Sequence, residues 1–275
     1  MGGSAVRLHG VPLKVMTFNL LMGGEERMAL ILSLIAHEEP DVLVLQECLG
    51  WEDGERLNQV AAALSLPATE SHIRLGLARP RPSGSRYHVA IASHPPLRST
   101  HVHNDPHFIG HCLLQCELET DLGALTLFAA HFDSHHENLR FVEARYLRSL
   151  LKPSVFGEGA FLLAGDLNCL SRADPYPVDL ADRVRRAGMD KYGHPPRFDV
   201  VEELEGFGWV DTLRRRPASS QWATARRQRN GECIDFRTDY LFASPRLAEK
   251  LLGAQVVDVG KASDHHALTA TFTEA

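Results

Sequence analysis

Four strand-like runs of this chain, residues 14–19, 41–47, 161–168 and 262–265, each stop on side chains able to do chemistry: Asn19, Glu47, the pair Asp166 and Asn168, and the pair Asp264 and His265. Buried carboxylates are costly unless they are paired or hold a metal. Four such ends gathered at one sheet edge would make an oxygen-lined site for a hard cation, with a histidine beside it. That is equipment for hydrolysing a phosphate ester.

Each residue type suggests a role. Magnesium takes few protein ligands, mostly carboxylate oxygens, and keeps waters that a phosphate can displace. Glu47 is therefore the expected ligand for Mg2+ or Mn2+, with Asp264 as a further carboxylate and Asn19 as a neutral oxygen ligand or an orienting partner. Asp166 and Asn168, one residue apart on an extended segment, would share a face. The carboxylate would orient or deprotonate an attacking water, and the amide would donate to a phosphate oxygen as charge builds there. His265 would move a proton or bind the oxyanion, and Asp239, in a strand-like run, is the expected acceptor for its other ring nitrogen. Singly, each has a plainer reading: a turn cap for Asn19, a salt-bridge partner for Glu47, an Asx turn for Asp166.

The order of these residues adds to their types. Thr17-Phe18-Asn19, Leu45-Gln46-Glu47, Gly165-Asp166-Leu167-Asn168, Arg237-Thr238-Asp239-Tyr240 and Ser263-Asp264-His265 resemble the ordered motif set of the endonuclease/exonuclease/phosphatase superfamily. His131, closing the apolar run 127–130, matches the histidine that in this family contacts the scissile phosphate or helps protonate the leaving group. Arg140 matches a structural arginine of the following helix. The resemblance implies an α/β fold of four layers, an α/β/β/α sandwich of two mixed β-sheets packed face to face with helices outside, and a site in the loops at one end. Two positions depart from the family pattern. Thr238 stands where a bulky aliphatic is usual, which is expected only to loosen packing. His94 stands where many relatives have arginine, which leaves open whether Tyr87 or His88 lies near the substrate.

The elements that must carry these residues are visible in the apolar pattern. Met28, Ile31, Leu32 and Ile35 recur at helical spacing within 25–37, and residues 42–45, apolar throughout, read as a strand buried on both faces. A helix is expected over 52–64 and another over 137–151, closed by Pro153. Strands are expected at 74–77, 89–93, 113–118, 124–131, 160–165, 240–243, 255–259 and 268–272. The proline-rich stretch 170–197 reads as irregular, with a helical piece at 178–187. Asp133, His135 and His136 could be a metal cluster, but a polar loop between strand and helix gives the same letters.

Composition narrows the function. The 275 residues, 44% of them hydrophobic, suit one catalytic domain over 11–275 behind a flexible N-terminus, 1–10. Twenty-nine basic against 35 acidic residues give a net charge of −6, the wrong sign for gripping nucleic acid mainly through charge. The absence of a long apolar run and of a signal-like start makes the cytoplasm the expected address. Five cysteines without a CxxC pair indicate neither disulfides nor structural zinc, although Cys48 and Cys169 beside site residues suggest sensitivity to thiol reagents. An arginine-rich loop at 214–229 reads as solvated surface or as a phosphate grip; Arg226, Arg227 and Tyr87 are the substrate-binding candidates.

The expectation is a monomeric, divalent-metal-dependent phosphoesterase acting on a phosphodiester, or less readily a phosphomonoester, of a small or lipid-type substrate. A DNA or RNA nuclease is the alternative. An inactive scaffold is the alternative of another class, and it should have lost at least one of Glu47, Asp166, Asn168, Asp264 and His265.

Overall fold

The computed structural model describes residues 12–274, so the N-terminal segment expected to be flexible lies outside the described residues. In chain order the strands are β1 (Leu13–Asn19), β2 (Val42–Gln46), β3 (Ile73–Gly76), β4 (Val89–Ser93), β5 (Leu97–His103), β6 (Cys112–Thr120), β7 (Gly123–His131), β8 (Ala160–Asp166), β9 (Val210–Asp211), β10 (Ala225–Arg229), β11 (Glu232–Phe236), β12 (Asp239–Ala243), β13 (Leu251–Val257) and β14 (Ala267–Phe272). The helices are α1 (Met28–Glu38), α2 (Glu55–Ala63), α3 (Glu137–Ser149), α4 (Pro153–Glu158), α5 (Leu180–Ala187), α6 (Asp199–Phe207), α7 (Thr212–Arg215) and α8 (Pro245–Glu249). Two mixed sheets result, ordered β13-β14-β1-β2-β4-β3 and β5-β6-β7-β8-β12-β9, with β10-β11 a separate two-stranded hairpin.

Alternation along the strands explains the layering, because successive side chains leave opposite faces of a sheet. Val15, Val44, Leu127, Leu162, Leu241 and Leu268 meet in one core between the two sheets. The alternate residues Met16, Leu43 and Leu45 face outward against Ile31 and Ile35 of α1 and Val60 of α2. Phe128, Leu163 and Phe242 do the same on the second sheet, against Leu147 of α3, Phe156 of α4 and Leu204 of α6. Strands apolar at every position are therefore buried on both faces, and truncating a residue such as Leu43 or Leu163 to alanine should cost about 2–5 kcal/mol. The four-layer sandwich expected from the motifs is present.

Several elements differ from expectation. Pro153 ends one helix and also starts another, occupying the first turn of α4, where its missing N–H costs nothing. The arginine-rich stretch 214–229 is not a loop: it contributes to α7 and forms β10, which pairs with β11 from Ala225↔Phe236 to Arg229↔Glu232. Ile234 and Phe236 of that hairpin pack on Leu180, Val184 and Ala187 of α5 and on Tyr192. β5 and α6 were not anticipated, and β13 begins earlier than the apolar pattern suggests.

Candidate active site

Strand register sets one half of the site. β7 and β8 run parallel with His131 opposite Asp166, and β12 runs antiparallel to β8 with Asp239 opposite Asp166. Three neighbouring strands thus present His131, Asp166 and Asp239 at one level. Glycine is required just before, because a Cβ on Gly165 would fall 1.9 Å from the Ala130 carbonyl oxygen. The chain then leaves the strand. Asn168 has a left-handed backbone, φ 51°, and its N–H donates to Asp166 Oδ1 at 2.9 Å. The two side chains are therefore brought together by an Asx turn and not by the shared face of an extended segment. Asn168 Nδ2 donates to the Phe132 carbonyl at 3.2 Å, and its Oδ1 accepts from Lys191 Nζ at 3.2 Å.

The first sheet supplies the other half. Asn19 ends β1 opposite Gln46, and Glu47 follows with φ 58°. Asn19 Nδ2 donates to Glu47 Oε1 at 3.2 Å and to Asp166 Oδ2 at 2.9 Å, so one amide group spans the two sheets. Its Oδ1 accepts from the Leu21 N–H at 3.0 Å. Asn19 thus orients the two carboxylates through its amide nitrogen, while its oxygen, accepting the Leu21 N–H, keeps a second lone pair. Arg27, which no motif signals, braces this corner by donating to the Leu20 and Ala262 carbonyls at 2.8 and 2.7 Å. Ser263 Oγ donates to the Asn19 carbonyl at 2.7 Å and so docks the last motif onto β1.

His265 joins the halves. Its Nδ1 lies 2.8 Å from Asp239 Oδ2 and its Nε2 3.8 Å from Asp166 Oδ2, while His131 Nε2 lies 3.9 Å from that same oxygen. Burial disfavours the charged imidazole, but the Asp239 and Asp166 carboxylates outweigh it and raise its pKa to about 9. Burial and the neighbouring Asp239 push the Asp166 carboxyl upward. Asp166, Asp239 and His265 are also the group of acidic and histidine side chains among the described residues whose ligand atoms converge within 4.8 Å. The short Asp239–His265 contact explains that convergence as a hydrogen-bonded carboxylate–imidazole pair. Thr238 does more than loosen packing: its Oγ1 donates to Asp239 Oδ2 at 3.1 Å.

Arg227 closes the site. Its Nη1 pairs with Asp264 Oδ2, and its Nη2 lies 2.7 Å from His265 Nε2. An imidazolium carries hydrogen on both nitrogens, so the arginine can donate to Nε2 only while the ring is neutral. The raised affinity of His265 for a proton and this contact are therefore alternatives, and protonation displaces the guanidinium. Burial acts against ionised Asp264, yet His265 and Arg227 hold its carboxyl below the ordinary value.

A residue missed in the sequence completes the wall. His111 stacks on His131 with ring centroids 4.4 Å apart and planes at 13°. All four ring nitrogens are buried and lack a hydrogen-bond partner in the protein. Burial keeps both rings neutral, taking His111 to about 4 and His131 well below its ordinary value. Glu143 fixes the loops that carry them, accepting the Gly110 and Asp133 N–H groups at 2.8 and 2.7 Å. A single histidine after a glycine gives no periodic or motif signal.

The remaining candidates sort by geometry. Arg226 lies on the opposite face of β10 from Arg227, tied to Asp235 at 2.6 Å with 69% of its side chain exposed. Tyr87 meets His111 edge-on at 5.7 Å, at the rim of the site. His88 is structural, accepting the Ala78 N–H at 2.9 Å and meeting Glu52 at 3.0 Å. His94 follows Ser93, which pairs with Val42 at the start of β2, the far end from Glu47. Asp133 Oδ1 accepts the His135 and His136 N–H groups, the pattern of a polar loop. Arg140 is fully buried and binds Glu137 and the Asp133 carbonyl, a structural role. Cys48 and Cys169 are buried with their thiols pushed well up, which removes the expected sensitivity to thiol reagents.

Known proteins share the fold and the sequence pattern of this chain. No curated protein matches the sequence. Among solved structures, an endonuclease/exonuclease/phosphatase family protein from Leptotrichia buccalis C-1013-b superposes with a TM-score of 0.68 at 12% identity, covering 94% of this chain and 99% of that one. An AP endonuclease from Archaeoglobus fulgidus gives 0.65 at 18% identity, covering 94% and 99%. TDP2 from Caenorhabditis elegans gives 0.65 at 17% identity, covering 99% of this chain and 77% of that one. These likenesses establish the fold. The sequence itself matches the Endonuclease/Exonuclease/phosphatase family over residues 16–265, the span that holds every motif above, and the chain belongs to that family, whose members hydrolyse phosphate esters.

Proposed function

We propose that the chain is a single-domain, divalent-metal-dependent phosphoester hydrolase acting on a phosphodiester of a small or lipid-type substrate by in-line attack of water. The observation that carries this reading is the convergence of Glu47 and Asp166 on one amide, Asn19 Nδ2, with no lysine or arginine of the described residues within ion-pair distance of either carboxylate. Two carboxylates sharing one amide, Glu47 with no basic partner among the described residues and Asp166 faced by histidines alone within ion-pair distance, suit a hard metal ion. Glu47 would hold Mg2+ or Mn2+, with Asp264 as second ligand once it exchanges its Arg227 partner. When bound, the ion would supply Lewis-acid polarisation of the scissile phosphate.

The chain's own groups do the rest. Asp166, its carboxyl raised toward neutrality by burial, accepts a proton from the attacking water. Asn168, with one amide hydrogen on Phe132, offers the other to a phosphate oxygen. His265, held in one orientation by Asp239, carries a proton on Nε2 toward the phosphate or the leaving oxygen. His131, unpartnered on both nitrogens, faces the same space and has hydrogen-bonding capacity to spare for a phosphate oxygen. Arg227 transfers its guanidinium from Asp264 and His265 to the phosphate. An inactive scaffold would not need all of these, and the contacts linking Asn19 to Glu47 and Asp166, and Arg227 to Asp264 and His265, support the enzyme reading. A nuclease acting on DNA or RNA is the second reading, supported by the cations Lys191 and Arg227 at the site, whereas the net charge of −6 supports the smaller substrate.

The test is a panel of nitrophenyl phosphodiesters and monoesters, sphingomyelin, plasmid, abasic duplex and single-stranded RNA, each with Mg2+, with Mn2+ and with chelator. Metal-dependent hydrolysis of a small or lipid diester, only weakly dependent on salt, is expected. Efficient duplex cleavage with a steep salt dependence would favour the nuclease, and no hydrolysis of any ester would favour the scaffold.

A further inference from the structure

Beside the catalytic centre lies a cleft of about 670 Å³, lined by His135, His136, Lys191, Arg227 and Arg229 among others. That volume is within the range of small-ligand sites. Alternation along β10 puts Arg227 and Arg229 on one face and Arg226 on the other, and the two faces are treated differently. Arg226 is neutralised by Asp235 on the outer face, while Glu232, directly opposite Arg229 in the hairpin, is engaged by Arg183 and Arg186 of the neighbouring α5. On the cleft face, Arg229 and Lys191 have no carboxylate within ion-pair distance among the described residues. Asp190, the acid lining the cleft, has its Oδ1 bonded to His194 Nε2 at 2.7 Å.

Lys191 also connects the cleft to the centre. Its Nζ donates to Asn168 Oδ1 at 3.2 Å and lies 4.9 Å from the Tyr192 ring, while the preceding turn is fixed by Arg140, which binds the Lys191 carbonyl. A guanidinium and an ammonium facing one cavity repel each other unless an anion sits between them, and a phosphate with three acceptor oxygens matches both donors.

We propose that this cleft is a second anion subsite, built by Lys191 and Arg229, and that the true substrate carries a further phosphate next to the scissile one. The inference rests on the phosphoesterase reading and narrows it to bisphosphorylated esters. Two probes differing in one group test it: the 4-nitrophenyl ester of thymidine 5′-phosphate and the same ester bearing a 3′-phosphate, both assayed with saturating Mg2+. The extra phosphate is expected to lower KM by about tenfold or more, equivalent to roughly 1.4 kcal/mol. Arg229→Gln should remove that advantage while leaving kcat and KM for the singly phosphorylated probe unchanged, and Arg229→Lys should restore part of it. Calorimetric titration of thymidine 3′,5′-bisphosphate into chelator-treated protein should show the same loss in Arg229→Gln without any turnover. Hydrolysis of both probes with equal KM, or a bisphosphate affinity indifferent to Arg229→Gln, overturns the subsite and leaves the phosphoesterase reading standing. Hydrolysis of neither probe nor of any ester in the panel overturns both.

Discussion

Across the second sheet, His131, Asp166 and Asp239 occupy one rung of a regular ladder, whereas Glu47 and Asp264 stand just beyond strand ends on turn backbone, Glu47 at φ 58° and Asp264 with 37% of its side chain exposed. The difference teaches where rigidity has been placed. His131, Asp166 and Asp239 are positioned by hydrogen-bonded strands that cannot slip without moving every side chain to the other face, and His265, from the turn beside Asp264, docks onto that ladder through Asp239. Groups assigned to the cation sit on short turns, and a non-glycine residue in the left-handed region costs on the order of 1 kcal/mol or more, strain that clusters at functional sites. The acid–base half is thus preorganised before substrate arrives. On the proposed reading, the ion itself would complete the metal half.

The largest way to break the comparison is to remove the ion. Chelation should abolish hydrolysis of any substrate found, with recovery on adding Mg2+ or Mn2+, and Glu47→Gln should lower metal affinity at least tenfold by calorimetry with an unchanged melting temperature. Unaltered metal binding in that variant would move the cation away from the turn half.

Smaller effects sharpen the contrast within the hairpin. Arg227→Ala should raise KM on the order of tenfold for a phosphodiester, since a charge-assisted bond to phosphate is lost. Arg226→Ala should change it less than about twofold, because that side chain is paired on the outer face. Equal effects would mean that the alternation along β10 does not govern substrate contact.

The smallest expected effect concerns stability. His111 has its pKa lowered from 6.5 to about 4 by burial, so between these values the unfolded chain binds a proton that the folded chain refuses. Stability should therefore fall as pH drops from about 6.5 to 4, with this histidine contributing at most roughly 3 kcal/mol to the loss. His111→Phe should flatten that part of the pH–stability curve, followed by thermal unfolding. An unchanged slope would show that the stacked imidazoles are not a buried neutral pair.

How much was legible follows from these same residues. Asn19, Glu47 and Asp166 could be read because an apolar run stops at each, His265 because of its motif, and the motif order then implied the sandwich. β10 and β11 could not, since Arg226, Arg227, Gln228 and Arg229 give a strand no apolar face, and what they pack through, Ile234 and Phe236, comes from the partner strand. Arg226 and Arg227 are equivalent as letters and separate only once pairing assigns them to opposite faces. Between the two readings of Asn19, oxygen ligand or orienting partner, the letters alone do not choose; the contacts of its amide nitrogen with Glu47 and Asp166 support the second. His111 reaches the site through stacking alone, which leaves no periodic trace.

The most direct test of how the registered half holds the imidazole, on which the account chiefly rests, is a double-mutant cycle on Asp239, on its strand rung, and His265, with turnover measured at saturating metal. Asp239→Asn and His265→Ala should each lower kcat by about 10²–10⁴. The double variant should be no more than a few-fold worse than the poorer single, because an imidazole and the carboxylate that orients it act as one unit. Losses that multiply, or an Asp239→Asn enzyme with near-normal turnover, would contradict the account.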